Sequence, residues 1–272
     1  MPSQNTPNSV SATLLSDNDL APAIILNADR RSNAVIVCDH GGDAFPEKLN
    51  NLGLDATQRA RHIAWDIGAS AVAREVSRLL EAPAALGRYS RLVIDLNRPT
   101  VDLTSIREIS DGVLVPGNRN LSAADVEARI AEIFTPYHNA VAALVETARE
   151  QVAAPALVSI HSFTPVMKGM ERPWHIGVLF GPDARLAHKL IAALSRHPDI
   201  CVGENKPYSG YDLFGCTVET HAIPKGDPNI LLEIRQDLID TQHGAEHWAG
   251  LIAIALREIL ADPDLYQAFP TD

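Results

Sequence analysis

The chain has 272 residues, of which 46% are hydrophobic and 21% are charged, a composition typical of a globular protein with a sizeable core. The formal net charge is −11 at pH 7, and the acidic residues are scattered rather than arranged in blocks. This charge disfavours nucleic acid as a partner and agrees with a small ligand, a cationic ligand or simply with solubility.

The first twenty residues predict a flexible, polar leader. They lack the basic segment and the unbroken apolar run of a signal peptide, and no stretch reaches the ~20 apolar residues that a membrane span needs. The cysteines (Cys38, Cys201 and Cys216) have no C-x-x-C spacing and fit a reducing compartment. We therefore predict a cytoplasmic protein with no membrane partner, in which residues 21–272 form a single domain.

Short apolar runs alternate with amphipathic segments along this domain. The predicted strands are 33–39, 91–96, 156–161, 175–180 and 229–235. The predicted helices are 66–82, 122–151 with Ser122 as N-cap, 183–197 and 243–261. This alternation predicts a mostly parallel sheet covered by helices on both faces. Two stretches rich in Gly, Pro, Asn and Asp, 99–121 and 198–228, are expected to line a site.

The first predicted strand is followed by His40-Gly41-Gly42-Asp43. A histidine and an aspartate on a tight glycine turn can reach the same cation; the alternative is that His40 caps the next helix. Asp66, at the start of the helix predicted over 66–82, is a rival carboxylate ligand. An aspartate in that position is more commonly an N-cap.

The second predicted strand is followed by Asn97 and Arg98. The planar guanidinium of Arg98 matches the geometry of a carboxylate, and Asn97 is a candidate to orient a ligand amide. The alternative for Arg98 is a structural salt bridge to one of the many acidic residues.

The third predicted strand ends in His161, followed by Ser162. Ligands of open α/β sheets bind beyond the carboxyl ends of the strands, so His161 is expected near His40. Two histidine nitrogens and one carboxylate oxygen form a zinc ligand set that leaves a fourth position for water. The alternative is a core histidine with one hydrogen bond. Ser162 is a candidate to shape an acyl pocket.

The last predicted strand contains Glu233, whose carboxylate is costly in an apolar strand unless it has a partner or a function. Near an activated water it could act as general base and then as proton donor to a leaving nitrogen. The alternative is an ion pair with Arg235, two residues along the strand. His221 and Arg91 are candidates to stabilise a developing oxyanion.

Seven short motifs occur in order between about residue 24 and residue 260: VCDHGGDAFPEKLNNLG, RHIAWDIGA, RLVIDLNRP, SIHSFTPV, WHIGVLF, GENKPYSG and LLEIRQDLI. Together they resemble the N-formylglutamate amidohydrolase family, one of the zinc carboxypeptidase-like amidohydrolases. The resemblance implies a carboxypeptidase-like, three-layer α/β/α fold with a mostly parallel, mixed central sheet. It also implies hydrolysis of N-formyl-L-glutamate to formate and L-glutamate.

The resemblance further implies one zinc ion held by His40 and His161, Glu233 as the base, and Asn97 with Arg98 as a clamp for the carboxylate of an acidic N-acyl amino acid. The sequence departs from the family at the third ligand. Carboxypeptidases have Glu where this chain has Asp43, and many relatives have a non-acidic residue there, so Asp43 and Asp66 both stay candidates. The histidine-pathway enzymes usually have H-S-G rather than HGGD, which is compatible with a sister branch acting on another N-acyl amino acid.

Two other classes of function are compatible with the sequence. The chain could be a metal-free protein that binds acidic amino-acid derivatives through Arg98 and Arg235. It could also hydrolyse a different amide in the same site, such as a peptide or polyglutamyl bond.

Overall fold

A mixed seven-stranded sheet forms the centre of the protein in a computed structural model that describes residues 13–211 and 215–270. The strands are β1 (Ala23–Leu26), β2 (Ala34–Cys38), β3 (Ala84–Gly87), β4 (Ile109–Ser110), β5 (Val113–Leu114), β6 (Ala156–Phe163), β7 (Val166–Met167), β8 (Met170–Glu171), β9 (Ile176–Leu179), β10 (Val202–Glu204) and β11 (Asn229–Arg235). The sheet order is β1-β3-β2-β6-β11-β9-β10, while β4–β5 and β7–β8 form two short antiparallel pairs.

The helices are α1 (Ala56–Arg59), α2 (Ala69–Leu80), α3 (Ala123–Arg129), α4 (Thr135–Arg149), α5 (Arg185–Leu194), α6 (Cys216–His221) and α7 (Gln242–Leu260). The predicted helix 122–151 is thus divided into α3 and α4 by a π-helical turn over Ile130–Phe134. Ser122 is its N-cap, because its side chain accepts a hydrogen bond from the backbone N–H of Asp125. Within the described residues, no helix is both long enough and apolar enough to cross a bilayer.

The predicted α/β/α fold class is confirmed. Strands β3, β2, β6 and β11 run parallel, whereas β1 and β9 run antiparallel to their inner neighbours. Helices α2, α7 and α5 pack side by side on one face, and α4 packs on the other face against β2 and β3. All five residues of β2 are buried, as expected of a parallel strand covered on both faces.

The predicted strand over 91–96 is wrong, since these residues form turns and irregular backbone. Leu92, Val93, Ile94 and Leu96 are buried, but the backbone N–H groups bond locally or to loops rather than to a neighbouring strand; that of Val93, for example, bonds to the oxygen of Ser90 at 2.9 Å. A short apolar run shows that a segment is buried and does not show that it pairs in a sheet.

Within the seven-stranded central sheet, the sequence patterns also failed to predict β1, β3 and β10. Strand β3 has the sequence Ala-Ala-Leu-Gly, which contains no β-branched or aromatic residue and so has no strand propensity to detect. Its place between β1 and β2 comes from pairing with both neighbours. The other two missed strands lie at the edges of the sheet and have only four and three residues.

The predicted leader is only partly described, because residues 1–12 lie outside the described residues. Residues 13–20 contain no helix or strand. They are nevertheless attached to the domain: Leu14 is buried, and the backbone N–H groups of Leu14 and Leu15 donate to the carboxylate of Glu132 at 2.7 and 2.8 Å. This part of the segment is therefore held against the folded chain.

Candidate functional site

A cavity of about 710 Å³ lies beyond the carboxyl ends of β2, β6 and β11, where ligands of open α/β sheets bind. Side chains from the central strands and from the segments 62–66, 91–98, 107–111 and 205–209 line it. Part of the predicted irregular stretch 99–121 is included, so that stretch does contribute to the wall. The cavity has the size of a pocket for a small organic ligand.

Three buried residues come together at the base of this cavity: His40, Asp66 and His161. One potential ligand atom from each lies within 4.8 Å of the other two. Asp66 Oδ2 is 2.8 Å from His161 Nδ1 and 3.4 Å from His40 Nδ1. Of the two rival carboxylates, the geometry therefore favours Asp66 as the third metal ligand.

Each of these histidines uses its other ring nitrogen to contact a second buried carboxylate. His40 Nε2 is 2.7 Å from Asp95 Oδ1, and His161 Nε2 is 3.0 Å from Asp39 Oδ2. Metal-binding histidines are commonly oriented in this way, because the outer carboxylate fixes the tautomer and leaves the inner nitrogen free for the metal. His40 Nδ1 is buried and has no hydrogen-bond partner among the described residues. The donor set and this unpartnered nitrogen both fit a metal ion.

The electrostatics of the group also favour a cation. Burial lowers the pKa of His161, but Asp39 and Asp66 outweigh burial and raise it to about 10. Burial and Arg91 lower the pKa of His40, whereas Asp95 and Asp66 raise it above its ordinary value. Without a metal the carboxylates thus hold protons on the imidazoles. Metal binding would release those protons, as is usual for histidine ligands.

Asp39 links this group to both α4 and α6. Its Oδ1 accepts hydrogen bonds from the Tyr137 hydroxyl at 2.7 Å and from the Thr217 hydroxyl at 2.6 Å. Its Oδ2 contacts His161, and Ser159 donates to the same oxygen at 3.4 Å. The sequence patterns did not single out Asp39 and Asp95, although each is an acidic residue within or directly after an apolar run, the feature that singled out Glu233.

Glu233 lies beside the group formed by His40, Asp66 and His161. In the parallel pairing of β11 with β6 it is in register with His161, so the two side chains project from the same face of the sheet. Glu233 Oε2 is buried without a hydrogen-bond partner in the described part of the chain. Burial raises the pKa of Glu233 to about 7, which suits a group that must accept and return a proton near neutral pH.

Arg91, Asn97 and Arg98 also line the cavity. Arg91 contacts Asp66 at 3.3 Å and Asp95 at 2.9 Å, so it braces the carboxylates around the histidines. Arg98 contacts the carboxylates of Asp102 at 3.1 Å and Asp95 at 3.5 Å. The side-chain oxygen of Asn97 accepts a hydrogen bond from the backbone N–H of Thr217 at 3.2 Å.

The structure does not bring Asp43 to the group. The chain turns back after Gly42, where an added Cβ would lie 2.0 Å from the backbone oxygen of Arg88. Ala44 then forms a β-bridge with Tyr89, and the side chain of Asp43 is exposed. Asp43 therefore lies outside the ligand set.

His221 and Arg235 are also placed outside the cavity lining. His221 Nε2 is 2.9 Å from His138 Nδ1, so this ring nitrogen is engaged in a histidine pair. Arg235 Nε donates to Asp237 at 2.8 Å rather than pairing with Glu233.

Ser162 does line the cavity. Its hydroxyl, however, donates to the backbone oxygen of Ile67 at 2.9 Å. In this position it fixes the loop before α2 and has its hydroxyl proton already engaged.

Known proteins share both the sequence pattern and the fold of this chain. A sequence model of the N-formylglutamate amidohydrolase family matches residues 32–240. The fold is similar to that of a gene product from Agrobacterium tumefaciens, with a TM-score of 0.85 and 32% identity over 91% of this chain and 98% of that chain. It is also similar to the N-formylglutamate amidohydrolase from Ralstonia eutropha, with a TM-score of 0.68 and 18% identity over 89% of this chain and 98% of that chain. Among curated proteins, none matches.

Proposed function

The chain belongs to the N-formylglutamate amidohydrolase family and is an amide hydrolase, and on that premise we propose that it is a metal-dependent enzyme acting on an N-formyl or other N-acyl amino acid. The observation that carries the proposal is the buried group of His40, Asp66 and His161 beside Glu233, whose Oε2 has no hydrogen-bond partner among the described residues. The model reaction is N-formyl-L-glutamate plus water giving formate and L-glutamate.

Two imidazole nitrogens and one carboxylate oxygen make zinc the best candidate for the metal, with His40, Asp66 and His161 as its ligands. A zinc ion held there would supply Lewis acidity, which polarises a carbonyl and acidifies water. Asp95 and Asp39 hold the two imidazoles in the orientation that keeps each Nδ1 directed towards Asp66. Arg91 contacts Asp66 and Asp95 together and keeps these acids in place.

Glu233 is the proposed general base. As a carboxylate, it takes a proton from the attacking water; as the acid formed by that step, it returns the proton to the leaving nitrogen. A pKa of about 7 makes both protonation states accessible at neutral pH. The position of Glu233 in register with His161 supports this role.

Arg98 and Asn97 are the proposed binding residues for the substrate carboxylate. The Arg98 side chain is 23% exposed, and its guanidinium can contact a ligand anion in addition to Asp102. Holding the carboxylate here would keep the scissile amide beside Glu233, which makes the attack effectively intramolecular. The substrate is therefore proposed to be small and anionic.

The cytoplasmic location stays a prediction.

A substrate panel with metal analysis tests the proposal. Purified protein is loaded with zinc, its metal content is measured, and hydrolysis of N-formyl, N-acetyl and N-succinyl amino acids is followed by release of the free amine. We expect about one zinc per chain and turnover of at least one of these amides. Zinc binding with turnover only of peptide or polyglutamyl amides would reassign the bond that is cleaved. If the protein neither binds zinc nor is activated by added zinc, the metal-free binding protein is favoured instead.

A further inference from the structure

Three arginines line the cavity, and they differ in whether a carboxylate of the chain balances their charge. Arg91 and Arg98 each contact a carboxylate of the chain, at 2.9 and 3.1 Å. Arg107 is half-buried in the same wall, and it forms no ion pair with a carboxylate in the described part of the chain. Its Nε donates to the backbone oxygen of Thr104 at 3.3 Å, which leaves its two terminal amino groups available to a ligand.

The surroundings of Arg107 make an unbalanced charge costly. Burial lowers the pKa of Arg107, the nearby cations Arg91 and Arg98 lower it further, and the carboxylates of Asp95 and Asp102 offset only part of this. A half-buried cation beside other cations is unfavourable unless an anion compensates it. In a cavity open to substrate, the compensating anion is expected to arrive with the ligand.

The backbone of Arg107 is fixed to the core through a buried network. Arg129 is 1% exposed, and its Nη1 donates to the Val93 oxygen at 2.9 Å and to Asn118 Oδ1 at 2.7 Å. Asn118 Nδ2 in turn donates to the backbone oxygen of Arg107 at 2.8 Å. The network holds the backbone of Arg107 in position before a ligand arrives, so that only its side chain has to be ordered on binding.

We propose that Arg107 is a specificity-determining residue that binds a second anionic group of the substrate. The inference rests on the proposed function, in which Arg98 already holds one carboxylate of an N-acyl amino acid. The planar guanidinium matches a second carboxylate in geometry as well as in charge. Lys168 and Lys206 also line the cavity but are exposed, so their charges are hydrated and need no ligand for compensation.

A binding experiment tests Arg107 without depending on turnover. Titration calorimetry compares L-glutamate with L-glutamine, which has nearly the same shape but a neutral side chain, on the zinc-loaded protein. Arg107→Ala should weaken L-glutamate binding about 10- to 100-fold, the size of a lost charge-assisted hydrogen bond, and leave L-glutamine binding unchanged. The matched control is Arg119→Ala, which removes the same charge from an exposed position on the same stretch, outside the cavity lining, and should change neither affinity.

Kinetics give a second readout. For Arg107→Ala, the ratio of kcat/KM on N-formyl-L-glutamate to kcat/KM on N-formyl-L-glutamine should fall by a similar factor, through KM rather than kcat. Arg107→Lys should recover part of the loss, because it restores the charge without the planar fork.

The outcomes separate the inference from the proposed function. If the wild type hydrolyses neither formyl compound, the proposed reaction fails, and the calorimetric comparison still decides the role of Arg107. Equal losses for both ligands in Arg107→Ala, unchanged L-glutamate affinity, or a wild type without preference for L-glutamate would each overturn the inference. Loss of selectivity in Lys206→Ala, with Arg107→Ala unaffected, would assign the second anion to Lys206 and overturn it as well.

Discussion

Replacing Asp39 by Asn should weaken zinc binding without altering any proposed metal ligand. The carboxylate of Asp39 receives the hydroxyls of Tyr137 and Thr217 on one oxygen and His161 Nε2 with Ser159 on the other. An asparagine has a single acceptor oxygen and an NH₂ group in place of the second. That NH₂ group must therefore face either the two hydroxyls or His161 with Ser159. If the NH₂ faces His161, the ring proton is driven to Nδ1, the atom that the metal needs.

The size of the effect follows from the bond that is lost. A charge-assisted hydrogen bond contributes about 1.5–3 kcal/mol, which corresponds to a change of about 10- to 100-fold in zinc affinity at ~1.4 kcal/mol per factor of ten. The same range is typical of outer carboxylates that orient metal-binding histidines. The assay is competition for zinc against a chromophoric chelator at pH 7, with circular dichroism as a check of folding.

Asp43→Asn is the matched control, since it makes the same chemical change four residues away on an exposed side chain. It should bind zinc as tightly as the wild type. Wild-type affinity in Asp39→Asn would refute the role given to the outer carboxylate. A loss in Asp43→Asn would instead refute the choice of Asp66 as third ligand.

Glu233→Gln should keep its zinc but lower kcat by ~10²-fold or more, because it removes the general base; full turnover in this variant would contradict that role. In the wild type, kcat/KM should fall as the pH drops below the Glu233 pKa of about 7, since only the carboxylate accepts a proton, and a flat profile from pH 6 to 8 would count against it. Arg98→Ala should mainly raise KM for substrates with a carboxylate, and an equal rise for an amide-blocked substrate would argue against a carboxylate clamp. Burial and the neighbouring His138 lower the pKa of His221 to about 4, so the unfolded chain takes up its proton first and Tm should decrease as pH falls from about 6.5 to about 4. His221→Gln should flatten this part of the Tm profile, and an unchanged slope would mean that other groups cause it.

The sequence predicted the fold class, and most of its candidate site residues line one cavity, because both depend on local patterns. His161 and Glu233 are polar residues in otherwise apolar runs, and that contrast with their neighbours is visible in the sequence alone. The pairing of RLVIDL could not be predicted in this way, since buried turns and buried strands have similar composition. The segment still delivers Asn97 and Arg98 to the cavity.

The proposed third metal ligand shows where sequence spacing fails. Asp43 is close to His40 in the chain, yet the turn that brings Ala44 to Tyr89 leaves it exposed. Asp66 is distant in sequence, but the backbone N–H of Asp66 bonds to the oxygen of His40 at 2.9 Å. Proximity here is a tertiary property that the spacing of residues does not contain.

The proposed catalytic group comes from three adjacent strands that are far apart in the chain: β2 (Ala34–Cys38), β6 (Ala156–Phe163) and β11 (Asn229–Arg235). Contacts of such long sequence separation slow folding and form only when the loops between them have closed. A chain in which any of these strands is still unpaired cannot assemble His40, His161 and Glu233 together. During refolding, the recovery of activity should therefore coincide with completion of the central sheet, which makes turnover a reporter of global folding.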